Sequence, residues 1–114
     1  MTNYTNDVFK AVTDEVMNKH VIIRSESSGV HFGVLAAWDG QHAVKLLDSR
    51  RLWEWDTGGN GISLSEIAIC GIDQKKSKIT MALPTHYVLD AVEIIPCHGM
   101  AIATISGAEV AKPS

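Results

Sequence analysis

The run Arg50-Arg51-Leu52-Trp53-Glu54-Trp55 gathers two of the chain's three arginines and two of its three tryptophans. A guanidinium grips phosphate through a two-pronged fork. An indole gives a base a flat surface to stack on. In an extended strand, side chains alternate between faces. Arg51, Trp53 and Trp55 then share one face, and Arg50, Leu52 and Glu54 share the other. A compact patch of this kind is equipment for holding a nucleotide. The same residues also suit the core of a small β-domain rimmed with charge. A buried guanidinium without an anion is costly, which places Arg51 at an edge of any such core. A one-residue slip of register would exchange the two faces.

Further residues lend support. Arg24 precedes the turn Ser25-Glu26-Ser27-Ser28, where the serine hydroxyls can donate to phosphate and Glu26 can accept from a guanine edge. The glycine-rich stretch Thr57–Gly61 follows the aromatic run, and its glycines permit close backbone approach to a ligand. It is also a plain connector by composition. It is not a phosphate-binding P-loop, because no Lys-Ser or Lys-Thr follows at the right spacing, and no GxGxxG is present. The basic turn Lys75–Lys78 reads as a solvated turn.

Catalysis and metal chemistry find little to stand on. The five histidines form no HxH, HExxH or HxxxH pattern, and neither cysteine has a partner at zinc spacing. His31 and His42 are placed to face each other across a hairpin, with no fourth ligand in view. There is no GxSxG elbow, and Cys97 and His98 are neighbours whose side chains diverge on a strand. No cofactor is implied, and binding without turnover is the expectation.

Composition sets the bounds. The 114 residues suit one domain, and 46% hydrophobic against 20% charged residues specify a packed core. A net charge of −3 argues against a general DNA or RNA binder, which needs a broad basic surface. One or two phosphates need only a few well-placed donors. Cys70 and Cys97 read as free thiols of a reducing compartment. No secretion signal and no bilayer-spanning stretch is visible, so a cytoplasmic location is expected.

The elements that must position these residues follow from pattern. Residues 6–19 read as a helix on Phe9, Val12 and Val16. Val21–Ile23 and Val30–Trp38 read as strands, with Asp39-Gly40 as a hairpin turn and a return strand from Gln41. Asp48-Ser49 bends that strand before it continues into the aromatic run. Ser63-Leu64-Ser65-Glu66 is a capping box opening a short helix that Gly71 stops. Ile79–Leu83 reads as a strand ended by Pro84, and His86–Leu89 and Ala91–Ile95 as two further strand segments or one bent strand. His98–Gly107 is assigned to a helix. The fold class is α+β: a small bent antiparallel sheet or partial barrel with short helices at its ends. The organisation is an N-terminal helical segment (1–19), a single domain (20–107) and a flexible tail (108–114).

The pattern RRLW-W, a glycine-containing loop and then SLSEIA resembles a signature of a bacteriophage protein family, approximately RRLWYW, a short linker and SLSQLA. The opening Val21-Ile22-Ile23-Arg24, the pairs Gly29-Val30 and Gly33-Val34, and Ala91–Cys97 extend the resemblance over about Val21 to His98. The chain departs from that signature at Glu54, in the longer glycine loop, and in its N-terminal helix. The family is similar to phage anti-CBASS sponge proteins, which sequester a cyclic dinucleotide signal of bacterial immunity, such as 3',3'-cGAMP. The resemblance implies a non-catalytic binder in the infected bacterial cell. It also implies a homo-oligomer, a tetramer with ligand at subunit interfaces, and no bulk nucleic acid or membrane partner.

On this reading Trp53 and Trp55 stack on or wall the bases and Arg50 or Arg51 holds phosphate. Arg24, Ser27 and Ser28 support them, and the glycine loop closes over the ligand. The competing expectation is a protein–protein adaptor that docks on a host enzyme through a Trp/Arg surface, because those residues dominate interface hot spots.

Overall fold

The computed structural model describes residues 4–113. Six strands form one sheet: β1 (His20–Ser25), β2 (Gly29–Trp38), β3 (Val44–Glu54), β4 (Lys78–Ile79), β5 (Leu83–Val88) and β6 (Ala91–Pro96). The helices are α1 (Tyr4–Ala11), α2 (Leu64–Cys70) and α3 (Gly99–Ser106). All strand pairs are antiparallel, in the order β4-β3-β2-β1-β6, with β5 sharing the outer edge of β3 with β4.

The β1 sequence shows why it is central. Val21, Ile22 and Ile23 are all fully buried, as a strand covered on both faces requires. Ile22 joins Phe32, Leu52, Ile67, Ala101 and Ile105 in the core beneath α2 and α3. Val21 and Ile23 join Leu35, Leu46 and Val88 on the opposite face, where Val12 and Val16 pack against them.

β5 lies on the flank of β3 and β6 on the flank of β1, yet only Leu89 and Asp90 separate them in sequence. So short a link forces the sheet to coil strongly. It remains open, since β5 and β6 form no ladder with each other. The bent antiparallel sheet of the sequence reading is therefore present, and a closed barrel is not.

Two bulges shape the β2–β3 hairpin. One adds a residue to β2 between Leu35 and Ala37; the other adds a residue to β3 opposite the Phe32–Val34 stretch. Asp48 provides the second bulge, with φ of 51°. Gly33 is required there, because a Cβ would lie 2.9 Å from the Leu47 carbonyl oxygen. The hairpin loop runs from Asp39 to Ala43 and is longer than the Asp39-Gly40 turn suggested. The Asp39 carboxylate accepts from the Gln41 and Ala43 amides at 2.8 and 3.1 Å.

The capping box at Ser63 and Glu66 forms as expected, and Gly71 ends α2 at φ of 84°. Other expectations are corrected. The N-terminal helix gives way at Val12–Val16 to a wider π-helical turn and does not reach Lys19. The strand assigned to Ile79–Leu83 is split, and Pro84 lies inside β5 rather than ending a strand. It falls opposite the Asp48 bulge, between the paired Leu47–Thr85 and Ser49–Leu83, on an edge strand where no donor is needed. The stretch taken as flexible tail docks as far as Ala111: Val110 bridges Ile79, and the Ala111 amide donates to the Ile79 carbonyl at 2.9 Å. Residues 1–3 and 114 of the terminal segments lie outside the described residues. No helix among the described residues is long and apolar enough to cross a membrane.

Candidate functional site

The two adjacent arginines go to opposite faces of β3. Arg50 is buried towards the helices. Its Nε donates to the Thr80 carbonyl at 2.7 Å, and one Nη donates to the Ile105 and Ser106 carbonyls at 2.8 and 3.2 Å. It thus satisfies the end of α3, where cations complement the helix dipole. Desolvation pushes its pKa below the usual arginine range. The ligand role expected for Arg50 meets a guanidinium already engaged by the fold.

Arg51 takes the other face, directly opposite His31 in the ladder. Its backbone is held on its outer side by Thr80: the Arg51 amide donates to Thr80 Oγ1 at 2.8 Å, and the Thr80 amide donates to the Arg51 carbonyl at 3.0 Å. Its side chain lines a hollow of about 220 Å3 with His31, Ser49, Thr80, Met81 and His86. Trp53 is two residues on, 68% exposed, and walls a second hollow of about 400 Å3 with Lys78 and Lys112. Thr80 and Met81 line both. One surface therefore presents a guanidinium in a recess, an exposed indole beside it, and two lysines beyond.

The histidines are the part that motif reading missed. His31 is fully buried. Its ring stands edge-on to His86, with centroids 4.8 Å apart. His31 Nε2 is 2.8 Å from Ser28 Oγ, and His86 Nδ1 is 2.9 Å from Ser49 Oγ. Burial, reinforced by His86 and Arg51 and opposed by Asp90, lowers the His31 pKa to about 4. Burial and then Arg51 also lower that of His86. Both imidazoles are therefore neutral at neutral pH. His31 Nδ1 and Arg51 Nε are buried and have no hydrogen-bond partner among the described residues.

His31 does not meet His42 as the hairpin reading expected. His42 lies in the hairpin loop, its Nδ1 3.2 Å from the Ala91 carbonyl oxygen. No group of three or more metal-ligating side chains occurs among the described residues. The hairpin register puts His31 across from Arg51, because the two bulges offset one another, and His86 joins them from β5 on the far side of β3.

The other expected site residues disperse. Trp55 lies beyond the end of β3, leaves the alternation and packs against the helix-side core, so it does not share a face with Trp53. Arg24 is paired with Glu93 at 2.5 Å. Ser27 donates through its amide and hydroxyl to Asp90, whose carboxyl is held below its usual range first by the Ser25 hydroxyl and then by that of Ser27. Ser28 reaches the site indirectly, through His31. The glycine loop is braced internally, with Thr57 Oγ1 donating to the Gly61 carbonyl at 2.6 Å, and it lines neither hollow. Glu54 lines neither hollow, and its carboxylate is 3.6 Å from Lys78. Cys97 is inert by environment, its thiol pushed by burial up to about 12.

An α+β protein with an open coiled sheet, carrying a donor-rich recess beside an exposed tryptophan, is what these features define. The chain belongs to the family described as Domain of unknown function (DUF6948), whose model matches residues 18–105. No curated protein and no solved structure matches it.

Proposed function

We propose that this protein binds and sequesters a cyclic dinucleotide without cleaving it, as a phage protein that blunts CBASS signalling in the infected bacterial cytoplasm. Arg51 takes a phosphate and Trp53 stacks on a base. The observation that carries the reading is the pairing of a guanidinium whose Nε has no hydrogen-bond partner among the described residues, in one hollow, with an exposed indole in the next, joined by Thr80 and Met81. Stacking contributes about 1–3 kcal/mol per base, and a charge-assisted phosphate contact adds to it. Lys78 and Lys112 supply further positive charge along the same groove, although the net charge of −3 leaves no broad basic surface for bulk nucleic acid.

A symmetric assembly follows from the ligand's own symmetry, because one patch used twice addresses two bases and two phosphates. The exposed side chains of Met81, Leu83, Tyr87 and Leu89 on and beside the edge strand β5 support a homo-oligomer, with the tetramer suggested by the sequence resemblance as its form.

Titration of tryptophan fluorescence against cyclic di- and trinucleotides and linear controls tests the reading, with the ligand then recovered by denaturation and chromatography. Saturable quenching that is lost in Trp53→Phe, with ligand recovered intact, is the expected result. Recovery of cleaved ligand makes the protein an enzyme. Silence towards every nucleotide removes the proposal and leaves the adaptor reading.

A further inference from the structure

We infer that the hollow between β2, β3 and β5 seats a tetrahedral oxyanion, the phosphoryl group of a nucleotide, held by Arg51 together with His31 and His86. The inference rests on the nucleotide-binding reading for the source of that phosphoryl group.

His31, Ser49, Arg51 and His86 bring polar atoms to the recess, and no carboxylate among the described residues lines it. His31 is fully buried, and its Nδ1 has no partner among the described residues; nor does Arg51 Nε. A buried polar atom without a partner calls for an explanation, and a bound ion or water is the usual one. Two such atoms on residues lining one cavity, one of them on a cation, specify an acceptor of negative charge. A metal ion is disfavoured by the guanidinium and by the lack of a third ligating side chain among the described residues.

Each neighbouring serine hydroxyl can donate to one ring nitrogen and so leave the proton on the other. A Ser28 hydroxyl that donates to His31 Nε2 leaves the proton on Nδ1. A Ser49 hydroxyl that donates to His86 Nδ1 leaves the proton on Nε2. Both rings are neutral at neutral pH, since burial holds His31 near 4 and lowers His86 as well. With both hydroxyls donating, the seat is two neutral N–H donors and one permanent cation. Arg51 is pre-placed by its backbone bonds to Thr80 on one edge and its register opposite His31 on the other. This assigns Ser28 a positioning role through His31, and Ser49 the same role through His86.

The test uses the full chain and inorganic phosphate as the probe. Histidine side-chain nitrogens are followed by long-range 1H–15N correlation NMR, with sodium chloride at matched ionic strength as control. The expected result is a saturable shift of the His31 and His86 nitrogens with phosphate and not with chloride. Arg51→Gln and His86→Asn should each weaken phosphate binding about tenfold, the loss of one charge-assisted or donor contact. His86 is partly exposed, so its substitution avoids the core disruption that a change at His31 carries. Unmoved imidazoles, or unchanged phosphate affinity in Arg51→Gln, overturn the inference. Phosphate-dependent shifts without any response to cyclic nucleotides leave the oxyanion seat standing and remove the nucleotide reading. Nucleotide binding with unmoved imidazoles removes the seat and leaves that reading.

Discussion

The guanidinium of Arg50 lies 2.8 Å from the carbonyl oxygen of Ile105, tying the centre of the sheet to the end of α3. The same group also serves Thr80 and Ser106. Arg50→Ala strands these carbonyls without a donor beneath the helix, and the expected loss is about 2–4 kcal/mol of folding stability. Urea denaturation followed by far-UV circular dichroism measures it; a change within error of zero would show that the contact is idle.

Arg51→Ala is the contrasting substitution. It removes a side chain that bonds to nothing else among the described residues, so the thermal midpoint should stay close to that of the parent. Cyclic-dinucleotide binding should vanish. Calorimetric titration alongside thermal melting separates the two arginines, and normal affinity in this variant places the ligand elsewhere.

The tryptophans should divide in the same way. Trp53 is largely exposed, so Trp53→Ala should cost less than about 1 kcal/mol while abolishing the fluorescence response to ligand. Trp55 packs against the helix-side core, so Trp55→Ala should destabilise by about 1–3 kcal/mol and leave that response in place. Equal effects of the two substitutions on binding would restore the shared face that the alternation of the sequence suggested.

Stability should fall with acidity in a window set by His31. Its pKa is about 4 in the folded chain against 6.5 for the free group. Between those values the unfolded chain binds the extra proton, so stability is full above the upper value and declines as pH falls towards the lower. The contribution is at most about 3 kcal/mol, and His86 adds in the same direction. Asp90 and Glu66 act in a lower window, because their depressed carboxyls lose stability only once pH falls below the unfolded carboxylate range. Urea midpoints at about pH 7 and about pH 4.5, compared between parent and His31→Gln, isolate the histidine share. A parent protein equally stable at both would refute it.

Ser63→Ala offers a local control. Ser63 Oγ accepts from the Ser65 amide at 3.1 Å, and Glu66 accepts from the Ser63 amide at the same distance. Its loss should cost about 1 kcal/mol, with no effect on phosphate or nucleotide binding, as read by the same denaturation and titration experiments.

These contrasts mark what sequence could convey. Ser63, Glu66 and Gly71 were legible because a helix cap is satisfied by residues within a few positions of one another. The separation of Arg50 from Arg51 was legible as alternation along a strand. Trp55 was misplaced because the strand ends at Glu54, and strand ends depend on what packs nearby. Pro84 was read as a terminator, whereas it sits inside an edge strand opposite a bulge, where its missing donor goes unnoticed. The histidine pair was invisible to motif search because His31 and His86 come from β2 and β5, and β3 runs between those strands. Only the curvature of the sheet and the shared face bring their rings together.

Asp48 also carries a consequence for how this strand tolerates change. Leu46 and Leu52 are both even-numbered residues of β3, yet they serve different cores on opposite faces. The single extra residue at the bulge inverts the parity of everything downstream. Deleting it would straighten the strand and leave Arg51 and Trp53 on the recess face, whereas ironing out the bulge with the residue retained would turn Leu52 and Arg50 towards the recess and send Arg51 and Trp53 beneath the helices. Point substitutions can erode the recess one contact at a time, but an added codon between Ser49 and Arg51 would turn the rest of the strand inside out.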